Sequence, residues 1–342
     1  MKKRVIGRAP LRIGLAGGGT DIEEYFSAHQ GHVVNITIKL FAYTVIEKSE
    51  KNILESIDLG SMQEIPDNFS NVTSIVSKDL RLIFNTFNYL KNKFKCNTSE
   101  KLWIRTYTDA PPGSGLGSSS ALVISMIVAY CEYMNLSISK KELAEEAYHI
   151  ERHICGIKGG YQDQIASAYG GLNSTIFTNN GWEVSKLIVP KTTISSMETS
   201  LILYFTGVSR NSSNIINDQV AAIKKRDIRL DSLHEIKLSS ERAKLFLEKG
   251  DLDGFYNQLS SSWEAKKKTS KLITNDHIDK LLRGLRKIGI YSAKVSGAGG
   301  GGFLSIFSPV ENKKNIIAFL QENPGKVVDA NFYENGADAW RE

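Results

Sequence analysis

Cysteine is scarce in this chain of 342 residues, which contains three: Cys96, Cys131 and Cys155. An odd number leaves at least one thiol unpaired, and no two of them have the Cys-x-x-Cys spacing of thiolate metal sites. We therefore expect reduced thiols, and neither a disulfide framework nor a thiolate zinc site.

The sequence also lacks long apolar runs. Nowhere do about 18 apolar residues follow one another, which is roughly the length that a membrane-spanning helix needs. The basic residues 2–4 are typical of the start of a secretion signal, but Gly7, Arg8, Pro10 and Arg12 interrupt any apolar segment after them. We expect a cytoplasmic protein with no membrane partner.

No strong excess of one charge is present. The 43 Lys and Arg residues against 37 Asp and Glu residues give a formal net charge of +6. The basic clusters, such as residues 91–95 and 266–268, are short and scattered, and they are typical of solvated surface. Because no basic stripe and no nucleic-acid-binding motif is found, we expect no nucleic-acid partner.

What remains is the composition of a globular protein, with 41% hydrophobic residues and no internal repeats or low-complexity segments. Residues 33–38 and 41–47 alternate in polarity and predict two strands. Residues 172–178 and 182–189, joined by Asn-Asn-Gly, predict a hairpin. The polar residues 192–199 predict a linker, and residues 201–205 another strand.

The most informative stretch is a glycine- and serine-rich run, Pro-Pro-Gly-Ser-Gly-Leu-Gly-Ser-Ser-Ser-Ala, at residues 111–121. It lies between a predicted strand, residues 101–108, and an apolar segment that predicts a helix. Such a junction presents free backbone N–H groups and the positive end of the helix dipole, which together favour phosphate binding. A flexible loop with a serine N-cap is the alternative. The run is not a Walker A loop, because no Lys-Ser or Lys-Thr follows its last glycine.

Two candidate functional carboxylates, Glu151 and Asp163, follow this loop. Ser139 to Glu142 form a capping box, and Leu143, Ala147 and Ile150 then form an apolar helix face with Glu151 on its flank. His149 and His153 lie off that face, and we expect them at the surface. Asp163 begins a short predicted helix, residues 161–169, where an ordinary first-turn aspartate is the alternative to a functional one.

A second glycine-rich run occupies residues 296–302. It contains Gly-x-Gly-x-x-Gly at Gly297, Gly299 and Gly302, but residues 303–307 predict a strand where a dinucleotide-binding fingerprint requires a helix. A Rossmann site is therefore excluded.

These runs together resemble the motifs of the GHMP kinases. The loop at residues 111–121 is similar to their Pro-x-x-x-Gly-Leu-Gly-Ser-Ser-x-Ala motif, and residues 294–302 are similar to their third motif. Ala9-Pro10-Leu11-Arg12 with Gly19-Thr20-Asp21 is similar to the first motif, although Leu11 replaces a glycine and residues 17–19 replace Gly-Glu-His. The resemblance extends over residues 9–304.

The resemblance implies an α+β fold with a GHMP kinase two-domain architecture. An N-terminal ATP-binding domain would span residues 1–190, and a ferredoxin-like C-terminal domain would span residues 191–342. The active site would lie in the cleft between the domains.

The resemblance also implies roles for single residues. Asp163 would face the acceptor hydroxyl as base or orienting group, with Arg12 beside it, and Ser119 and Glu151 would bind Mg²⁺. The ATP-binding residues would be Pro112, Gly113, Ser114, Gly115, Leu116, Gly117 and Ser118. The substrate-binding residues would be Gly18, Gly19, Thr20, Asp21, Gly160, Arg210 and Gly299.

The first motif is most similar to that of the family's D-glycero-D-manno-heptose 7-phosphate kinases. This implies ATP-dependent phosphorylation of a sugar phosphate at its anomeric hydroxyl, with Arg210, otherwise a surface residue, as a contact for the remote phosphate. An L-fucose kinase-type enzyme is the alternative. A sugar sensor without turnover is a third hypothesis, but it predicts damage to Asp163, Glu151 or Ser119. The sequence leaves both a monomer and a homo-oligomer open.

Overall fold

A computed structural model describes residues 4–66, 76–94, 100–208, 213–225 and 227–342 of the chain. It is an α+β structure with two sheets, which confirms the predicted fold class. The strands are β1 (Arg4–Ala16), β2 (Gly31–Ser49), β3 (Asn52–Ser56), β4 (Ser61–Ile65), β5 (Lys101–Thr108), β6 (Leu172–Thr178), β7 (Gly181–Lys186), β8 (Leu201–Phe205), β9 (Ser292–Val295), β10 (Phe303–Phe307), β11 (Lys326–Val328) and β12 (Asp338–Arg341).

Eleven α-helices of the described residues lie between these strands along the chain. They are α1 (Glu23–His29), α2 (Arg81–Lys93), α3 (Ser118–Met134), α4 (Lys140–His149), α5 (Gln162–Tyr169), α6 (Lys191–Ser200), α7 (Ser213–Lys225), α8 (Ile228–Lys249), α9 (Leu252–Thr269), α10 (Asp276–Ile288) and α11 (Lys313–Gln321). Short 3₁₀ turns cover Lys78–Leu80 and Val310–Asn312, and a π-helical turn covers Ile150–Ile154.

The first sheet has the order β12-β1-β2-β5-β3-β4, with β6 paired to β2 and β7 paired to β6. β2 is one strand of 19 residues rather than the two strands predicted. Its first half pairs with β6 and its second half with β5. Residues 31–38 are all buried because α5 and α8 also pack on this strand, so the alternation expected of a half-exposed strand is lost there.

Helix α3 packs against this sheet and against α2, α4 and α5. It is apolar on most of its surface, and side chains such as Ile124, Ile127 and Tyr130 are almost completely buried. Burying each large apolar side chain stabilises the fold by about 1.5–3 kcal/mol. The N-terminus of α3, which follows the glycine- and serine-rich run, is thereby held on a rigid element.

The second sheet has the order β11-β8-β10-β9, and all its neighbours are antiparallel. Helices α7 to α10 connect β8 to β9, and α11 connects β10 to β11. This arrangement is the ferredoxin-like one that the resemblance implied. Trp263 from α9 and Leu281, Leu282 and Leu285 from α10 belong to the core of this part.

The polar linker predicted at residues 192–199 is wrong, because α6 occupies this segment. Its buried residues Thr193, Met197 and Ser200 follow one another at steps of four and three, which places them on one face. Most of the other residues of α6 are polar and face outwards. Because of them the segment has a polar composition, which masked the buried face.

The division into domains at residue 190 stays a prediction. The end of the described chain nevertheless contributes to the first sheet. β12 pairs with β1, placing Arg341 opposite Val5, and Phe332 bridges to Ile38 of β2. The last residues of the chain thus belong to the first sheet.

Cys131 and Cys155 are free thiols, while Cys96 lies outside the described residues. Among the helices that the structure describes, none is both long and apolar enough to cross a membrane. His149 and His153 are exposed, as predicted.

Candidate active site

A cleft between the two sheets brings the predicted motifs together. Its described lining includes Arg12, Gly18, Gly19, Asp21, Gly113, Gly115, Gly117, Ser118, Ser119, Gly160, Asp163 and Gly299. Arg210 lies outside the described residues, so its predicted substrate contact stays a prediction.

The glycine- and serine-rich run connects β5 to α3 and forms one wall of the cleft. Gly113, Gly115 and Gly117 have φ angles of +73°, +83° and +77°, a left-handed conformation that favours glycine. Gly117 is the N-cap of α3 and supplies no side-chain cap. The first amides of α3 are thus open to an anionic ligand, as the helix dipole favours.

The two glycine-rich runs pack directly on each other. A Cβ on Gly115 would lie 2.4 Å from the carbonyl oxygen of Ser296, and one on Gly302 would lie 2.2 Å from that of Ser114. The Phe303 N–H donates to the same Ser114 oxygen at 2.9 Å. The glycines of the second run therefore allow the two halves of the cleft to meet.

Arg12 of β1 and Asp163 of α5 form an ion pair in the cleft. The Arg12 Nε donates to Asp163 Oδ1 at 2.8 Å, and its Nη1 donates to the Gly115 carbonyl at 2.6 Å. The Arg12 side chain is 4% exposed, whereas that of Asp163 is 26% exposed. The carboxylate thus faces the cleft from a fixed position, and the arginine ties it to the glycine loop.

Glu151 lies inside the protein, more deeply than its predicted place on the flank of a helix face. It is fully buried in the π-helical turn Ile150–Ile154. Ser119 and Ser120 donate to its two carboxylate oxygens at 2.8 and 2.6 Å, and Gln164 also donates to it. The predicted pair of oxygen groups, Ser119 and Glu151, is therefore assembled at the start of α3.

The oxygens of Ser119 and Glu151 are of the kind that binds a magnesium ion. Mg²⁺ prefers oxygen ligands and keeps several positions for water and substrate phosphates. Among the described residues, no group of three or more His, Cys, Asp or Glu side chains could form a denser metal site. The Ser119 and Glu151 pair agrees with an ion that uses few protein ligands.

The acceptor side of the cleft begins with the loop between β1 and α1. Asp21 accepts from the backbone N–H of Gly19 and of Gln162, both at 3.1 Å. A Cβ on Gly160 would lie 2.1 Å from Asp21 Oδ2. Asp21 thus joins this loop to the start of α5, the helix that carries Asp163.

Thr20 is not among the described residues that line the cleft. It is fully buried, and its hydroxyl donates to the carbonyls of Gly17 and His32 at 2.8 and 3.0 Å. Leu116, predicted in the ATP site, is likewise buried, and its carbonyl accepts from the Arg12 N–H. Both side chains are enclosed by the protein, and the predicted roles of the two residues stay predictions.

Arg152 holds the loop at residues 157–160, which also lines the cleft. Its guanidinium donates to the carbonyls of Ile157 and Gly160 at 3.2 and 2.9 Å. It therefore fixes the chain before Asp163, a role that its sequence position next to Glu151 did not indicate.

Lys266 is the main functional candidate that the sequence analysis missed, because it belongs to a basic cluster interpreted as surface. It is 6% exposed and lines the cleft. A signal was present: buried Leu259 and Trp263 precede it at steps of four and three, so Lys266 occupies a core position of α9.

The pKa of Lys266 is lowered to about 8, mainly by burial and also by nearby Arg12, whereas Asp21 and Asp163 act in the opposite direction. Lys294 of β9 is also buried, and its ammonium donates to the carbonyls of Gly14 and Leu15 at 2.9 and 2.8 Å. Burial first, then Lys266 and Arg12, hold the pKa of Lys294 well below its usual range. Lys266 therefore keeps its positive charge at neutral pH, whereas Lys294 is shifted towards its uncharged form.

A glycine loop at a helix N-terminus, beside an Asp–Arg pair in an interdomain cleft, defines a nucleotide-dependent phosphotransferase. The chain belongs to the GHMP kinase family. The GHMP kinases N terminal domain matches residues 81–171, and the GHMP kinases C terminal domain matches residues 243–326.

Similar proteins include sugar kinases. The chain is 35% identical to D-glycero-alpha-D-manno-heptose 7-phosphate kinase from Campylobacter jejuni, over 99% of both chains. It is 28% identical to the L-fucokinase/L-fucose-1-P guanylyltransferase of Bacteroides fragilis, over 88% of this chain and 34% of that protein. Its structure resembles a D-glycero-D-manno-heptose 1-phosphate kinase from Bacteroides thetaiotaomicron, with a TM-score of 0.79, 31% identity and 98% of both chains covered.

Proposed function

We propose that this kinase transfers the γ-phosphoryl group of ATP to the anomeric hydroxyl of D-glycero-D-manno-heptose 7-phosphate, giving the 1,7-bisphosphate. The observation that carries the proposal is the 35% identity to a heptose 7-phosphate kinase along essentially the whole of both chains. A cytoplasmic enzyme of this kind would supply nucleotide-activated heptose for surface glycans such as lipopolysaccharide or capsule.

The proposed mechanism begins with the nucleotide. The loop Gly113–Ser118 and the first amides of α3 bind the triphosphate through backbone N–H groups. Ser119 and Glu151 would hold Mg²⁺, which supplies positive charge to the phosphoryl oxygens. Support for this arrangement comes from the Ser119–Glu151 contact at 2.8 Å.

The acceptor hydroxyl would lie against Asp163. Its oxygen forms a bond to the γ-phosphorus while the bond between that phosphorus and the bridging oxygen of ADP breaks, and Asp163 accepts or orients the hydroxyl proton. Arg12 keeps the carboxylate in position and adds positive charge near the transferred group. The 26% exposure of the Asp163 side chain, compared with 4% for Arg12, supports this division of roles.

A coupled ADP-release assay tests the proposal. The enzyme should be active with ATP, Mg²⁺ and heptose 7-phosphate, and should be much less active with free heptose, L-fucose, galactose or mevalonate. A preference for L-fucose would favour the alternative represented by the fucokinase relative. ATP and sugar binding without ADP release from any acceptor would favour a sensor.

We expect Glu151→Gln and Ser119→Ala to raise the Mg²⁺ concentration needed for half-maximal rate by about tenfold, the order of change for losing one charge-assisted or oxygen contact. Magnesium titrations at saturating ATP measure this. Glu145→Gln, an exposed substitution on α4, is the control and should match the wild type. Unchanged titrations in both active-site variants would contradict the assignment of the metal site.

A further inference from the structure

The cleft contains several cationic side chains, and most already have partners or face solvent. The described cations that line it are Arg12, Arg152, Lys158 and Lys266. Arg12 is bound to Asp163 and to a loop carbonyl, and Arg152 donates to two loop carbonyls. Lys158 is exposed. Lys266 alone among these four is buried without an acidic hydrogen-bond partner in the described structure.

The position of Lys266 is on the acceptor side of the cleft. Its ammonium donates to the carbonyl of Gly297 at 2.5 Å, and it lies 3.5 Å from the place where a Cβ on Gly18 would be. The absence of a side chain at Gly18 thus opens the space in front of the ammonium. Gly297 packs on Gly115 of the glycine loop, since a Cβ on Gly297 would lie 2.6 Å from the Gly115 Cα. Lys266 therefore lies between the Gly18–Asp21 loop and the loop proposed for the triphosphate.

The neighbouring carboxylates compensate the positive charge of the Lys266 ammonium only in part. Asp21 and Asp163 favour its ammonium form, whereas burial and the positive charge of Arg12 oppose it. Asp21 already accepts two backbone hydrogen bonds, and Asp163 is paired with Arg12. An additional anion in the open space would therefore be stabilised strongly.

We propose that the Lys266 ammonium binds the phosphate group already present on the acceptor, and so determines specificity for a phosphorylated over a neutral sugar. This inference rests on the proposed function, in which the acceptor is a sugar phosphate. An ammonium has three N–H donors, of which the Gly297 carbonyl takes one, so two can reach phosphate oxygens.

Lys266→Met tests the contact, because methionine keeps much of the buried stem and removes the charge. We expect its KM and dissociation constant for heptose 7-phosphate to rise by about ten- to a hundredfold, with the KM for ATP changed less than about twofold. Binding and kcat/KM for free heptose should fall at least fivefold less than the same quantities for heptose 7-phosphate. Lys268→Met, at an exposed position of the same helix, is the matched control and should leave all values unchanged.

The pH dependence gives a second measurement that needs no variant. Because the pKa of unliganded Lys266 is about 8, the wild-type KM for heptose 7-phosphate should rise by about tenfold per pH unit above that pH. The groups that face Lys266 are Asp21, Asp163, Arg12 and Lys294. Lys268→Met should keep this rise and Lys266→Met should lose it.

Measurements of turnover and binding test the proposed function and the proposed role of Lys266 separately. If wild type phosphorylates heptose 7-phosphate but Lys266→Met loses activity equally on both acceptors, Lys266 has a structural or ATP-related role and the proposal is overturned, whereas the proposed function stands. A wild-type KM that is constant from pH 7 to 9.5 overturns it as well, even if the variant does not fold. If calorimetry shows that wild type binds heptose 7-phosphate no better than heptose, and no ADP is released, both proposals fail.

Discussion

Asp163→Asn is expected to lower turnover by about 100-fold or more and to leave ATP binding nearly unchanged, because it removes an acid–base or orienting group and no phosphate contact. Asparagine has nearly the shape of aspartate, so the fold should be preserved. The Arg12 guanidinium would keep its bond to the Gly115 carbonyl but lose its anionic partner. Steady-state kinetics and binding of a fluorescent ATP analogue measure the two effects.

The control for this variant is Asp276→Asn. Asp276 also lies in the first turn of its helix, α10, but it is exposed and away from the cleft. If Asp163 were an ordinary first-turn aspartate, both variants would show the same small change in stability and near-normal turnover. That result would remove Asp163 from the mechanism.

Gly302→Ala is expected to destabilise the protein by about 2–4 kcal/mol, through left-handed strain and overpacking against backbone. Gly302 has a φ of +84°, and its new Cβ would lie 2.2 Å from the Ser114 carbonyl oxygen. The two glycine-rich runs would have to separate, so ATP affinity should fall together with stability. Urea unfolding monitored by fluorescence, and ATP binding, measure both effects.

Gly60→Ala separates strain from packing. Gly60 has a φ of +61°, and a Cβ there would meet nothing within 4 Å. We expect a loss of about 1 kcal/mol from backbone strain alone, with normal ATP binding. If both variants lost the same free energy of unfolding, contact between the two glycine-rich runs would contribute little to the stability of the cleft.

Elements whose local pattern agrees with their environment were predictable. β5 (Lys101–Thr108) has the bounds that the sequence predicted, and α10 (Asp276–Ile288) has an equally clear local pattern. β5 alternates because only one set of its side chains is fully buried. α10 has a regular apolar stripe, an Asn275 cap and Gly289 in a left-handed C-terminal position with φ +97°. In these segments, propensity, periodicity and caps favour the same result.

Features decided by distant parts of the chain were not predictable from local pattern. β2 is continuous because two different strands pair with its halves, and Glu151 is buried because a π-helical turn directs it inwards. Lys266 was missed because the charge of residues 266–268 outweighed its helical spacing after Leu259 and Trp263. The motifs suggested which residues meet in the cleft, whereas the local charge balance required the folded structure.

The pairing of β12 with β1 bears on how the protein folds during synthesis. Val5 leaves the ribosome long before its partner Arg341, which lies 336 residues later in the chain (341 − 5). Until then β1 has an unpaired outer edge, which can pair with strands of other chains. The same holds for the bridge between Ile38 and Phe332, so the first sheet can be completed only after residues far along the chain have been synthesised.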